Sequence, residues 1–73
     1  MNDLCVFRCQ CEGAMFRVLV FTHPSAPRGM YYSVYRGRKL AMPVRYEFES
    51  DAIKNCVQLC CMEQSELKKG SEL

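Results

Sequence analysis

The sequence predicts an α+β protein in which a three-stranded antiparallel β-sheet packs against one C-terminal α-helix, with the N-terminal segment as a candidate fourth strand. Two observations support this class. Runs of β-branched and aromatic residues, separated by turn residues, fill the first two thirds of the chain. A segment with the periodicity of one α-helix follows. At 73 residues, with 49% hydrophobic and 25% charged residues, the chain has the composition of a single small globular domain, 1–73.

Two segments in the middle of the chain have strand composition. Residues 15–21 and 30–35 are rich in β-branched and aromatic residues, and the loop between them carries two prolines and a glycine. A third strand is predicted over about 40–48, where apolar residues alternate. Pro43 cannot donate a hydrogen bond to a neighbouring strand, so this strand is expected to lie at an edge or to be bulged there.

The turn between the second and third strands is predicted from the face on which apolar residues fall. A one-residue slip in pairing turns every side chain to the other face, so the two apolar sets share a face only across a loop of odd length. We therefore predict a three-residue loop over 35–37, with Gly37 in the left-handed conformation. The apolar sets are Met30, Tyr32 and Val34 in the second strand, and Leu40, Met42, Val44, Tyr46 and Phe48 in the third.

A helix is predicted after the sheet. Ser50 is a suitable N-cap, and Asp51 places a negative charge in the first turn, where it favours the helix dipole. Two lysines followed by Gly70 are typical of a helix end, so 70–73 is expected to be a flexible tail. The apolar stripe consists of Ile53, Cys56, Val57, Cys60 and Leu67, with Cys61 beside it.

The first twelve residues allow two interpretations. Cys5, Phe7, Cys9 and Cys11 alternate with other residues, which is consistent with a short fourth strand. The alternative is a flexible arm, because terminal segments fray unless they pair with the rest of the fold.

Six cysteines fall into an N-terminal and a helical group. We interpret them as reduced thiols that pack as small hydrophobic residues, with no cofactor. A disulfide framework would need an oxidising compartment, and no export signal is evident. Zinc is the other alternative, although neither group has the usual C-x2-C spacing. The zinc ligands would then be Cys9, Cys11, Cys56 and Cys60.

Catalytic, membrane and secretory features are absent from the sequence. His23 lies in a proline-containing loop without a partner motif, which is more typical of a solvated histidine than of a catalytic base. No run of about 18 apolar residues is present. We therefore expect a non-enzymatic, cytoplasmic protein, monomeric and without a membrane partner.

One helix covers only one face of the sheet, so the other face is the predicted binding surface. Tyrosine and arginine are enriched at protein interfaces. Docking of a protein partner is the leading hypothesis; stacking of nucleic-acid bases is secondary, because a net charge of +2 is weak for that task. A third alternative is that the N-terminal segment covers this face. The candidate partner-binding residues are Arg17, Leu19, Phe21, Tyr31, Tyr35, Arg36, Arg38 and Arg45.

The junction between sheet and helix carries a resemblance. A strand ending Tyr46-Glu47-Phe48 and a helix opening Ser50-Asp51-Ala52-Ile53 resemble the layout of small bacteriophage proteins that bind host machines. The chain is similar in size and layout to phage transcription regulators, which implies binding of bacterial RNA polymerase, inhibition of initiation and antitermination. Two alternatives are an anti-CRISPR-type inhibitor and a zinc-stabilised nucleic-acid-binding module. No site residue is transferred from these families, because no motif aligns.

Overall fold

The computed structural model describes residues 4–11 and 13–71, with the side chains of the helix described as far as residue 65. Within these residues, four strands form one antiparallel sheet in the order β1-β2-β3-β4, and a single helix packs on it. This confirms the predicted α+β class and its fourth, N-terminal strand. The elements are β1 (Leu4–Cys11), β2 (Ala14–Thr22), β3 (Met30–Arg36), β4 (Lys39–Leu40) and α1 (Glu49–Ser71).

The central strand β2 pairs with β1 on one side and with β3 on the other. Its side chains alternate between the two faces of the sheet, as the period of two requires. Phe16 and Val18 face the helix and are buried, whereas Arg17 and Phe21 lie on the opposite face. We call this opposite face the outer face.

Strand β1 contains an irregularity that its sequence does not reveal. Cys5 pairs with Leu19, but Phe7 pairs with Val18, so the register shifts by one residue between them. Such a bulge changes the face on which later side chains fall. The predicted alternation of N-terminal apolar residues is therefore interrupted after Cys5.

The turn between β3 and β4 differs from the predicted three-residue loop. Arg36 pairs with Lys39, which leaves a two-residue loop of Gly37 and Arg38. Gly37 has a φ of 63° and Arg38 does not have a positive φ, which is the pattern of a type II′ turn. Gly37 was thus correctly predicted as the residue of positive φ, but the loop length was wrong.

The predicted continuous strand over 40–48 was also wrong. Strand β4 ends at Leu40, and the chain then leaves the sheet before Tyr46 returns to pair with Tyr32. Two backbone hydrogen bonds of 2.8 Å join Tyr32 and Tyr46. Pro43 lies within the excursion, where the chain has no ladder to which an N–H must donate. As a result Leu40 pairs with Tyr35 on the outer face, not with the helix-facing set.

Helix α1 begins at Glu49, two residues earlier than a cap at Ser50 predicts. The first helical hydrogen bond runs from the Ala52 N–H to the Phe48 carbonyl oxygen at 3.3 Å, so Ser50 lies inside the first turn and is not the cap. The helix continues through Gly70 to Ser71, and residues 72–73 of the predicted tail lie outside the described residues. The first turn carries Glu49 and Asp51, whose charges favour the helix dipole.

The core lies between α1 and the helix-facing side of the sheet. Val18, Val34 and Cys56 are completely buried there. Val57, predicted to be part of the buried helical stripe, is 37% exposed, and Ala52 takes its place. The buried members of this core are Cys11, Phe16, Val18, Val34, Ala52, Cys56 and Cys60.

Candidate functional site

Three aromatic rings cluster on the outer face. The cross-strand pair Phe21 and Tyr31 is stacked, with ring centroids 5.3 Å apart and planes 20° apart. Tyr35 lies 6.2 Å from Phe21 in a tilted arrangement. Aromatic side chains offer a large contact area at a low cost in conformational entropy, which makes such a cluster suited to molecular contacts.

Arginine side chains border this aromatic cluster at both ends. The Arg45 guanidinium carbon lies 4.6 Å from the centroid of the Tyr31 ring, a cation–π geometry. At the other end, the Arg17 Nη2 donates a 2.7 Å hydrogen bond to the carbonyl oxygen of Gly37. Both guanidinium groups are therefore held by neighbours and are pre-positioned around the rings.

The excursion between β4 and α1 adds depth to the outer face. Leu40, Pro43 and Val44 form one wall of a cleft of about 300 Å³, and the rings form the other. We call this the aromatic cleft. Its lining residues are Phe21, Tyr31, Ser33, Tyr35, Leu40, Pro43, Val44 and Arg45.

A second depression of about 240 Å³ adjoins the aromatic cleft. It shares Tyr31 and Arg45 with that cleft and extends to the loop between β2 and β3, where His23 lies. The stacked Tyr31–Arg45 pair thus forms a common wall between the two depressions. A change in the Arg45 side chain would join or reshape both.

The base of the outer face is more buried than a simple exposed sheet. Leu19 is only 7% exposed and Ser33 only 4% exposed, although neither faces the helix. By contrast Leu40 is 48% and Val44 40% exposed. The exposed apolar surface of the cleft therefore lies with Leu40 and Val44.

Six of the eight predicted partner-binding residues lie on or beside the outer face. Arg17 pairs with Tyr35, and Phe21 pairs with Tyr31, across strands β2 and β3. Arg38 is exposed in the turn beside Gly37. The residues on or bordering the outer face are Arg17, Leu19, Phe21, Tyr31, Tyr35 and Arg45.

Arg36 does not belong to this surface. It pairs with Phe16, a helix-facing residue, and its guanidinium binds both carboxylate oxygens of Glu63 on α1 at 2.7 and 2.8 Å. These hydrogen bonds lower the pKa of Glu63 and raise that of Arg36. Arg36 therefore lies on the helix-facing side and ties β3 to the helix, and its contact with a partner stays a prediction.

Sequence reasoning also missed residues of the aromatic cleft. Leu40 and Val44 were assigned to the helix-facing set, because strict alternation was applied from 40 to 48 in spite of the edge or bulge expected at Pro43. The available signal was Pro43 itself, since an interrupted ladder changes the parity of the residues around it. Ala41, between Leu40 and Met42 of the predicted apolar set, packs against the core.

His23 stabilises its own loop. Its Nδ1 accepts a 3.1 Å hydrogen bond from the Ser25 N–H and lies 2.7 Å from the Ser25 hydroxyl oxygen. Which group donates in the contact with the hydroxyl depends on the tautomer of the imidazole ring. The serine and the histidine are two residues apart in a compact loop that ends at Gly29, so their hydrogen bonding stabilises the turn.

The two cysteine groups meet between β1 and α1. Cys11, Cys56 and Cys60 are core residues, and Cys9 packs against them. Burial raises the pKa of the Cys56 thiol to about 11. Burial, followed by hydrogen bonding to Cys9, raises the pKa of the Cys60 thiol to about 12. These thiols are therefore protonated at neutral pH.

The four cysteines of the zinc alternative do converge on one region. However, among residues 4–11 and 13–71 no group of three or more histidine, cysteine or acidic residues is arranged to hold a metal ion. The thiols of Cys56 and Cys60 have raised pKa values, so a metal ion would have to displace their protons before they could act as thiolate ligands. Zinc binding stays a prediction that elemental analysis can test.

No family model matches this chain, and no match was found among curated proteins or solved structures. What the structure itself defines is an α+β protein with a four-stranded meander and one helix. Within the described part of the chain, no helix combines the length and apolarity needed to cross a membrane.

Proposed function

We propose that this chain is a non-catalytic binding protein that docks on a larger protein through its outer face. The observation that supports this proposal is the aromatic cleft, where three rings, an exposed apolar rim and a stacked arginine surround about 300 Å³ of open space. Tyrosine and arginine in this setting are the residue types that contribute most to protein interfaces.

The cleft indicates the chemistry of the partner segment. An apolar or aromatic anchor would fill the space between Tyr35 and Val44, where it would remove exposed apolar surface from water. Carboxylates beside that anchor would complement the guanidinium groups of Arg17 and Arg45. We therefore infer a partner that presents a hydrophobic side chain flanked by acidic residues.

The contacts that the aromatic rings already make within the protein favour protein docking over base stacking. Phe21 and Tyr31 already stack on each other, and Arg45 covers the Tyr31 ring. Single-strand binders instead leave ring faces free for bases and carry a positively charged groove for the backbone. The net charge of +2 is low for that purpose.

The particular partner we propose is bacterial RNA polymerase, with inhibition of initiation and antitermination as the outcome. This step rests on the layout resemblance to small phage regulators. The mechanism would be occlusion: a rigid sheet face of a small protein covers a site that another factor uses. An anti-CRISPR-type inhibitor would use the same mechanism on a different host complex.

Binding to immobilised RNA polymerase holoenzyme, measured with the purified full chain, tests the particular partner. We expect saturable binding of the wild type. Replacing Tyr35 by Ala or Arg45 by Glu should weaken it about tenfold or more, because each removes a central contact of the cleft. The matched control is Lys54→Glu, the same charge reversal on the exposed side of α1, which should change affinity less than about twofold.

Two results would contradict these proposals separately. Absence of binding to the holoenzyme would remove RNA polymerase as the partner but leave the docking proposal to be tested by capture from bacterial lysate. In that experiment, proteins captured by the wild type should be lost with Arg45→Glu and kept with Lys54→Glu. Equal capture by all three would show that the outer face is not the docking surface.

A further inference from the structure

Cysteines from opposite ends of the chain form a contact that the docking surface does not use. Cys11 on β1 and Cys60 on α1 belong to one buried cluster, and Cys9 packs against that cluster. Cys60 is 3% exposed and Cys11 is 7% exposed, whereas Cys9 is half-buried and therefore more accessible. The contact lies on the helix-facing side of the sheet, away from the aromatic cleft.

We propose that Cys9 and Cys60 form a reversible disulfide that fastens the edge strand β1 to helix α1. Cys9 is preferred over Cys11 because its greater exposure lets an oxidant reach its sulfur. Cys60 is preferred as its partner because both side chains lie in that packed cluster and each belongs to a regular element that holds its position. The neighbouring Cys9 thiol also contributes to the raised pKa of the Cys60 thiol. A disulfide forms where the two Cα atoms lie within about 7 Å of each other, and the packing of β1 on α1 brings the two elements of this pair together.

The oxidant is a low-molecular-weight disulfide such as oxidised glutathione. The Cys9 thiolate attacks one sulfur of that disulfide, giving a mixed disulfide and releasing one glutathione thiolate. The Cys60 thiolate then attacks the Cys9 sulfur and expels the second glutathione thiolate. Both cysteines lose a proton, and the two released thiolates take up two protons. One protein disulfide is formed and one glutathione disulfide is reduced to two thiols.

The crosslink would act on the least enclosed part of the sheet. Strand β1 is an edge strand that pairs only with β2, and its first half carries exposed apolar residues, with Leu4 68% exposed. A bond between positions 9 and 60 closes a loop of about 50 residues, and loops of that length restrict the unfolded chain strongly. The oxidised protein should therefore hold β1 in place more firmly than the reduced one.

Peptide mapping of the full chain tests the proposal. The protein is incubated with oxidised glutathione, free thiols are blocked, and a tryptic digest is analysed without reduction. We expect the peptide that contains Cys9 to be linked to the one that contains Cys60, with fragmentation placing the bond on those two residues. Thermal unfolding of the oxidised protein should shift upward by roughly 10 °C, a shift that dithiothreitol should reverse.

Variants separate this pair from the other thiols. Cys9→Ala and Cys60→Ala should each abolish the intramolecular crosslink. Cys60 is a core residue, so its replacement can prevent folding; Cys9 is only half-buried, and Cys9→Ala keeps the test valid in that case. Cys61→Ser is the matched control, because Cys61 is adjacent on α1 but exposed, and its crosslink yield should equal that of the wild type. Linkage through Cys11, mixed disulfides alone, or only intermolecular dimers would overturn the proposal.

The pH dependence gives a second test. The pKa of the Cys60 thiol is raised to about 12, so its thiolate fraction grows about tenfold for each pH unit below that value. Closure of the mixed disulfide should therefore accelerate by roughly that factor per unit between about pH 7 and pH 9. A closure rate that does not change with pH would show that Cys60 is not the attacking thiol.

Discussion

At the scale of single residues, cysteine serves this protein as a compact core side chain. Ala52, Cys56 and Cys60 are spaced four apart on α1, and all three are buried against the sheet. Small side chains at this spacing let the helix lie close to the strands while the larger Phe16 and Val18 fill the space from the other side. The sequence analysis correctly predicted buried thiols at Cys56 and Cys60, because helical periodicity identifies the face that is buried.

Replacing Cys56 by Ser tests how much the protein depends on this apolar use of sulfur. Cys56 is completely buried, so the serine hydroxyl would lose contact with water and could bond only to its own helix backbone. We expect a loss of about 1–2 kcal/mol in the free energy of unfolding, measured by urea denaturation under reducing conditions.

The control for this experiment is the same substitution at Cys61, which is exposed on the same helix. Cys61→Ser should change the free energy of unfolding by less than about 0.5 kcal/mol. Equal losses at both positions would mean that Cys56 is not more enclosed than Cys61. That outcome would contradict the packing of α1 described above.

At the scale of elements, the strands and helix were predictable but the irregularities were not. Composition and alternation identify β2, β3 and α1, because these segments obey one period from end to end. The bulge between Cys5 and Phe7 and the excursion around Pro43 break the period of two. A sequence pattern assigns faces only as far as the strand stays regular, so Leu40 and Val44 were placed on the wrong side.

The turn between β3 and β4 offers a prediction at this scale. Gly37 has a φ of 63°, and a Cβ built there meets no atom within 4 Å. Any cost of Gly37→Ala is therefore conformational and not steric against neighbours. We expect a loss of about 1 kcal/mol in the free energy of unfolding, because a residue with a Cβ is disfavoured at positive φ.

Arg38→Ala is the matched control, since Arg38 occupies the other position of the same turn without a positive φ. It should leave the free energy of unfolding within about 0.5 kcal/mol of the wild type. Urea denaturation of both variants makes the comparison. If Gly37→Ala were as stable as Arg38→Ala, the turn would not depend on the left-handed conformation of Gly37.

At the scale of the whole molecule, the two faces of one small sheet carry different tasks. The helix-facing side holds the core and the thiols, whereas the outer face holds the aromatic cleft. The presence of Arg17, Phe21, Tyr31 and Tyr35 on one face was predictable, because strand alternation brings these residues to the same side of the sheet. The burial of Leu19 and the walls of the cleft were not predictable, because both depend on the path of residues 41–45 after the chain leaves the sheet.

The topology also predicts how the molecule opens. Strand β2 pairs on both sides and contains the completely buried Val18, whereas β1 and β4 are edges and β4 has only two residues. Amide hydrogen exchange reports such differences as free energies of local opening. In the reduced protein we expect the slowest exchange in the middle of β2 and in the facing part of β3. Exchange should be faster by at least about tenfold in β1 before the bulge and in residues 41–45.

Oxidation connects this pattern to the proposed crosslink. If Cys9 and Cys60 are joined, the segment of β1 after the bulge can no longer separate from α1, so its amides should approach the protection of β2. Residues 41–45 are not part of the closed contact and should remain fast exchangers, which makes them the internal control. Heteronuclear NMR of the reduced, the oxidised and the Cys9→Ala protein measures all of these rates. Uniform slowing across the molecule would show that the crosslink stabilises the fold only globally, and it would contradict the inference that β1 opens independently of the rest of the sheet.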